Sequence, residues 1–234
     1  MGKRFQFKQF VVEDFGCGMP VSTDGIMLGA WATAQTNSRI LDIGTGTGLL
    51  SLMMAQRFPD TSITAVDIDA TAVDAAQQNA AASPWSQRIQ IQQQDITDWQ
   101  TTTRFDTIVC NPPYFNSGEA STNSRRATAR HTVTLSHQSL LNALSMLITP
   151  QGQAHLILPV YEAKALIEEA KDSGLHVSRL LEVAPTEAKP ISRHLFTLVK
   201  NRPEKIDAQS LVIRQQGAYS EAFIALTRDF YLKM

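Results

Sequence analysis

Leu41-Asp42-Ile43-Gly44-Thr45-Gly46-Thr47-Gly48 joins a short apolar run that begins at Arg39 to a longer one, Leu49 to Phe58, that stops before Pro59. The first run has the length and composition of a strand and the second those of a helix, so the stretch reads as strand, glycine turn and helix. Glycines allow the tight turn and let the backbone approach a ligand. The alternation continues with a strand from Ser62 to Val66, a helix from Asp69 to Ala82 ending before Pro84, and strands from Arg88 to Gln92 and Phe105 to Cys110. A helix from His137 to Ile148, a strand from Ala154 to Leu158 and a helix from Tyr161 to Ala170 follow, with Gly174 as the stop. This pattern predicts an α/β fold with a mostly parallel sheet covered by helices on both faces. Val177 to Val183 and Leu195 to Lys200 are expected to form a terminal hairpin, and the tail from Leu211 adds a short strand and a helix around Glu221 to Tyr231. Residues 1–38 read as an N-terminal arm and 39–234 as one domain with a C-terminal extension.

The 234 residues, 43% of them hydrophobic and 18% charged, are ordinary for a globular chain and exclude a disordered or collagen-like one. A net charge of -1 forbids inferring a nucleic-acid partner from the total; only the distribution of charge can argue for one. Cys17 and Cys110 lack a CxxC spacing, which suits two reduced thiols in the cytoplasm and gives no metal site. The start, MGKRFQFKQF, has no apolar core behind its basic residues, so neither secretion nor a membrane anchor is expected.

The glycine spacing Gly44-x-Gly46-x-Gly48 differs from the Gly-x-Gly-x-x-Gly of dinucleotide sites, and Asp42 precedes it by two positions. A carboxylate there repels a pyrophosphate and attracts a cation. S-adenosylmethionine fits, because it has no phosphate and carries an ammonium and a sulfonium. The bland alternative for Asp42 is a buried carboxylate bracing the turn. Asp67 lies 25 residues after Asp42 at the end of the second strand, where a carboxylate can accept both ribose hydroxyl hydrogens. Asp69 is read as the cap of the next helix. Asp95 ends the third strand and is expected to accept from an adenine amino group while Ile96 packs on the ring.

Asn111-Pro112-Pro113-Tyr114 follows the apolar strand ending at Cys110, at the carboxyl end where open α/β sheets bind ligands. Two prolines remove two backbone donors and stiffen the chain. The Asn111 side-chain oxygen and the Pro112 carbonyl make an acceptor pair for an NH2 group, and Tyr114, with Phe115 beside it, offers a flat face for stacking. An aryl-amine or amide lone pair is delocalised and weakly nucleophilic. Two acceptors localise it as a methyl group approaches, and no strong base is needed because nitrogen becomes acidic as it gains positive charge.

These residues resemble the class I S-adenosylmethionine-dependent methyltransferases of the amino-methylating kind. The turn from Asp42 to Gly48, Asp67, Asp95 and Asn111-Pro112-Pro113-Tyr114 look like that family's cofactor and catalytic motifs in order, over roughly residues 20 to 200. The resemblance implies a Rossmann-like, seven-stranded sheet with a reversed last strand. Thr23-Asp24-Gly25-Ile26-Met27-Leu28-Gly29-Ala30-Trp31, Ser83-Pro84-Trp85 and Tyr219-Ser220-Glu221-Ala222-Phe223 are similar to members that methylate the N6 amino group of an adenine in tRNA. That closer resemblance implies a tRNA partner, the adenosine beside the anticodon of a valine tRNA as acceptor, and a first helix whose Thr23-Asp24-Gly25 segment lies over the methionine end of the cofactor. Thr23 or Asp24 is also the expected N-cap of that helix.

Charge is distributed unevenly along the chain. From Asp42 to Asp106 there are eight acidic residues against Arg57, Arg88 and Arg104, which welcomes a cation and repels a polyanion. From Thr107 to Leu158 the only acidic residue is Glu119, while Arg125, Arg126 and Arg130 cluster. Lys189, Arg193, Lys200, Arg202 and Lys205 face a single Glu204. Both stretches are candidates for phosphate contact beside the site. The five histidines lack a ligand spacing and receive no metal or acid-base role. Glutamine amides in release factors and amino groups in ribosomal RNA suit the same acceptors. Enzymes of the former kind carry a helical domain before the cofactor motif, whereas 41 residues precede Asp42 here. A non-catalytic partner subunit is disfavoured by an intact Asn111 and Tyr114, and a nicotinamide oxidoreductase by the glycine spacing.

Overall fold

A computed structural model describes residues 2–18, 20–112 and 135–233. In chain order the elements are β1 (Arg4–Gln6), β2 (Val11–Glu13), α1 (Thr23–Trp31), β3 (Arg39–Ile43), α2 (Leu49–Arg57), β4 (Ser62–Asp67), α3 (Ala70–Ala81), β5 (Ile89–Gln93) and β6 (Phe105–Cys110). They continue with α4 (His137–Leu147), β7 (Ile148–Pro159), α5 (Val160–Ala170), β8 (His176–Thr186), β9 (Arg193–Val199), β10 (Asp207–Gln215), β11 (Ala218–Tyr219) and α6 (Glu221–Thr227).

One sheet has the order β11-β10-β8-β9-β7-β6-β3-β4-β5. The seven strands from β8 to β5 form the expected unit, parallel except for β9, which runs antiparallel between β7 and β8. The tail lengthens the sheet to nine strands, because β10 pairs in parallel with β8 and β11 closes antiparallel on β10. β1 and β2 form a separate hairpin. Its Glu13 N–H donates to Asn79 Oδ1 at 3.0 Å, and Asn79 Nδ2 donates to the carbonyls of Glu13 and Thr47, tying the arm to α3 and the glycine turn.

Both faces of the central strands are buried, as continuous apolar strands such as β3 require, whereas β5, β10 and β11 are largely exposed. Along β3, Ile40 faces a core with α1 and α2, whereas Leu41 and Ile43 face a core with α4 and α5. Asp42 therefore points to the α1/α2 side, as does the register position two residues past Val109, Asn111. Helix ends follow their capping chemistry. Asp69, Ser136 and Ser220 cap α3, α4 and α6 through side-chain oxygens, and Gly174, at φ 70°, terminates the short turn after α5. No helix among the described residues is long and apolar enough to cross a membrane.

Candidate active site

β3 and β6 are neighbours in the sheet although two helices and two strands separate them in sequence, and an open sheet binds ligands at the carboxyl edge of such a switch point. Ile43 lies opposite Cys110 on one side and Val66 on the other, so Gly44, Asn111 and Asp67 leave three adjacent strands at one height. Neighbouring strands are about 4.8 Å apart, which brings the three motifs into one crevice.

Gly44, Gly46 and Gly48 have φ of 67°, 56° and 81°, the left-handed region that strains a side-chain-bearing residue. Asp42 is fully buried behind them, and its two oxygens have different fates. Oδ2 accepts from Thr45 Oγ1 at 2.7 Å, Ser51 Oγ at 2.7 Å and the Ser51 N–H at 3.1 Å. It thus occupies the N-terminus of α2, the place where a phosphate binds in dinucleotide folds, and excludes one there. Oδ1 is buried without a hydrogen-bond partner. A Cβ built on Gly44 would meet nothing within 4 Å. A carboxylate at the start of α2, behind a turn that is open at Gly44, fits a cationic, phosphate-free ligand such as S-adenosylmethionine. Burial raises the Asp42 pKa to about 6, against its hydrogen bonds to Thr45 and Ser51.

Asp67 accepts from the Gly46 N–H through Oδ2 at 2.9 Å and from the Asp69 N–H through Oδ1 at 3.0 Å, which holds the carboxylate against the turn. Burial raises its pKa. Next to it Ile68 is 50% exposed, an apolar face that sequence reasoning passed over. Its signal was an apolar residue directly after the strand-ending carboxylate. Asp95 closes a turn, its Oδ1 accepting from the Thr97 N–H and hydroxyl at 2.8 and 2.7 Å, while Ile96 is buried in the α4/α5 core. Ile96 therefore presents little surface to a ring.

Asn111 is half-buried and Pro112 buried. A Cβ at Gly25 would stand 3.9 Å from Asn111 Nδ2, so the first turn of α1 is packed over the catalytic-motif side of the crevice. The cap of α1 is Ser22, whose Oγ accepts from the Gly25 N–H at 3.1 Å; this corrects the expected cap at Thr23 or Asp24. Thr23 is an exposed first residue of the helix, and Asp24 receives the Arg193 Nε at 2.8 Å. Arg193 was expected to meet phosphate; its guanidinium is engaged by Asp24 and by the Ser192 carbonyl at 2.9 Å. Arg193→Ala is expected to lower stability by about 1–2 kcal/mol, since a charge-assisted bond is lost at a partly exposed site. Thermal melts check this, and a salt slope of RNA binding shallower by about one would place the guanidinium on phosphate instead.

The basic run from 189 to 205 does not share a face. Lys189 is exposed in the β8–β9 loop at the carboxyl edge, but β9 runs down the sheet, and its last residue, Val199, pairs with Gln153 and the first residue of β8. Lys200, Arg202 and Lys205 therefore lie at the opposite edge. Tyr114, Phe115, Arg125, Arg126 and Arg130 lie outside the described residues. Cys110 is buried beneath the crevice, where burial and then Asp42 and Asp67 push its thiol far above the ordinary range, so it offers no thiolate.

The family model for the methyltransferase small domain matches residues 22–140. The tRNA1(Val) (adenine(37)-N6)-methyltransferase of Vibrio cholerae is 53% identical over 234 residues, covering 100% of this chain and 97% of the relative. The protein of the same description from Photobacterium profundum is 51% identical, with 100% of both chains covered. Among solved structures, a predicted O-methyltransferase from Agrobacterium tumefaciens superposes with a TM-score of 0.65 at 18% identity, over 88% of this chain and 96% of its own. The glycopeptide N-methyltransferase MtfA complexed with S-adenosyl-L-methionine gives 0.57 at 15% identity, over 78% and 100%.

Proposed function

The chain belongs to the methyltransferase small domain family, alongside the tRNA1(Val) (adenine(37)-N6)-methyltransferases, and from this premise we propose that it transfers the methyl group of S-adenosylmethionine to N6 of adenine 37 in tRNA1(Val). The observation that carries the chemistry is the common height of the glycine turn, Asp67 and Asn111 on three adjacent strands. Cofactor and acceptor motif thus meet across the β3–β6 gap.

Asp42, the open turn at Gly44, Asp67 and the Ile68 face are the residues that would hold the cofactor, with Asp95 at the adenine end and the Thr23-Asp24 turn at the methionine end. When bound, S-adenosylmethionine supplies an electrophilic methyl on a sulfonium and departs as a neutral thioether. The Asn111 side-chain oxygen and the Pro112 carbonyl accept the two hydrogens of the adenine amino group. This draws the nitrogen lone pair out of conjugation and orients it in line. Both acceptors also stabilise the positive charge that develops on nitrogen, which then sheds a proton to water. Tyr114 and Phe115 are proposed to stack the extruded base, with Arg125, Arg126, Arg130 and Lys189 on nearby phosphates. An anticodon-loop adenine is already unpaired, so its extrusion is less costly than from a duplex. The cytoplasm is the compartment that suits such a substrate and two reduced thiols.

Protonation of Asp42 gives a pH test. Its pKa in the fold, about 6, stands above the ordinary 3.8, so its contribution to folding is fully present below about pH 3.8 and is lost as pH rises through about 6. A cationic cofactor favours the ionised form. Affinity for S-adenosylmethionine is therefore expected to rise as pH increases through about 6, with proton release on binding near that pH. Titration calorimetry in two buffers of different ionisation enthalpy measures this; a flat profile without proton release would detach Asp42 from the cofactor.

Incubation with methyl-labelled S-adenosylmethionine should label an unmodified tRNA1(Val) transcript and spare one carrying guanine at position 37. Labelling of a release factor, with none on tRNA, would overturn the assignment in favour of a glutamine amide.

A further inference from the structure

We propose that Tyr161, in the first turn of α5, is a second base-stacking platform for the tRNA, set beside the active site and flanked by Ile191, Lys164 and Lys189. This deepens the tRNA assignment above and rests on it.

The stretch from Asp42 to Asp106, with eight acidic residues against three arginines, repels a polyanion. Each of its three arginines donates to backbone carbonyls, although Arg104 stays exposed. Arg57 donates to Gly29 and Ala32 at the end of α1, Arg88 to Ala55, Phe58 and Thr61 at the end of α2, and Arg104 to Thr101 and Thr103. The β7–β9 half is the side that better receives a polyanion.

That half is connected to the catalytic motif by an unbroken set of contacts. Gly25 packs beside Asn111, Asp24 pairs with Arg193, and Arg193 lies opposite Pro159 and donates to the Ser192 carbonyl. The Val160 N–H donates to that same carbonyl at 3.3 Å, which locks the start of α5 to the β8–β9 loop. Cys110 is level with Leu156, so β7 overhangs β6 by three residues, about 10 Å at strand rise. α5 begins at the top of this overhang.

On the wall so formed, Tyr161 is 78% exposed and Ile191 40% exposed, two apolar side chains held out on adjoining backbone. Lys164, on the same helix face one turn later, and Lys189, in the loop that carries Ile191, are both exposed. The acidic groups of this edge are Glu187, exposed in the loop, Glu182, paired with His194, Asp24, paired with Arg193, and Glu162, buried against His137. An exposed aromatic between two lysines suits a splayed base with its phosphates, and every base offers a π-face. Stacked nucleic acid rises about 3.4 Å per nucleotide, so the overhang alone spans about three such steps and the nucleotide on Tyr161 lies at least that many positions from the acceptor adenine.

The test is steady-state kinetics of tRNA1(Val) methylation by the full chain. Tyr161→Ala is expected to raise KM for tRNA about tenfold, leaving kcat at saturating tRNA and S-adenosylmethionine affinity unchanged, while Tyr161→Phe, which keeps the ring, stays near wild type. Lys164→Ala should make the salt slope of tRNA binding shallower by about one. A wild-type KM for Tyr161→Ala, in a preparation whose wild type methylates tRNA, overturns this role for Tyr161 alone. Absence of tRNA methylation by the wild type overturns the assignment beneath it, and a Tyr161→Ala defect confined to a protein acceptor would give the surface to a protein.

Discussion

Asn111→Ala is expected to lower the rate of methyl transfer by about 10^2- to 10^3-fold while the dissociation constant for S-adenosylmethionine changes little. The magnitude follows from removing one of two preorganised groups that act on developing charge, which costs that much in comparable sites. Pro112 is buried and keeps its carbonyl, so half the acceptor pair survives. The first turn of α1 at Gly25 faces the vacated side. Single-turnover transfer measures the chemistry, and an equilibrium titration measures cofactor binding. If affinity fell as far as the rate, Asn111 would belong to cofactor retention rather than to the acceptor.

Asp67→Ala is expected to weaken S-adenosylmethionine binding by about 10^2-fold or more. The two charge-assisted bonds to ribose hydroxyls proposed for Asp67 would be worth about 1.5–3 kcal/mol each. The substitution also releases the Gly46 and Asp69 amides, which the carboxylate holds at 2.9 and 3.0 Å. Asp67→Asn separates these contributions, since it keeps an oxygen for the turn and loses the charge, and should fall between wild type and alanine. A calorimetric titration reads all three. Unchanged affinity in the alanine variant would remove Asp67 from the site.

Strand, glycine turn and helix around Gly44 were legible because composition, period and turn chemistry agree there, and the same holds for β4, α3 and β6. The seven central strands followed from alternation. The first half of β7 did not, because Thr149, Pro150, Gln151 and Gly152 carry no strand signal; the pairings of Ile148 with Phe105 and of Gln153 with Thr107 on either side bring them into the sheet. β10 begins with Asp207-Ala208-Gln209-Ser210, and its strand form is likewise supplied by its neighbour, β8. In the site, the crevice was legible through its carboxylates, but the pairing of Asp24 with Arg193, 169 residues apart, depends on where the antiparallel β9 begins. The same reversal sends Lys200, Arg202 and Lys205 to the far edge, a separation that charge counting along the chain cannot register. The division of labour within the Asp42 carboxylate, one oxygen for α2 and one left over, depends on the fold alone.

Mass spectrometry of nuclease fragments from unmodified tRNA1(Val), after reaction with the purified chain and labelled S-adenosylmethionine, tests most directly the claim that Asn111 and Pro112 present an amino nitrogen. The predicted result is N6-methyladenosine in the anticodon-loop fragment that contains position 37, formed about 10^2- to 10^3-fold more slowly with Asn111→Ala. A methyl group on a ring atom of that adenine, or on another nucleotide, would contradict it.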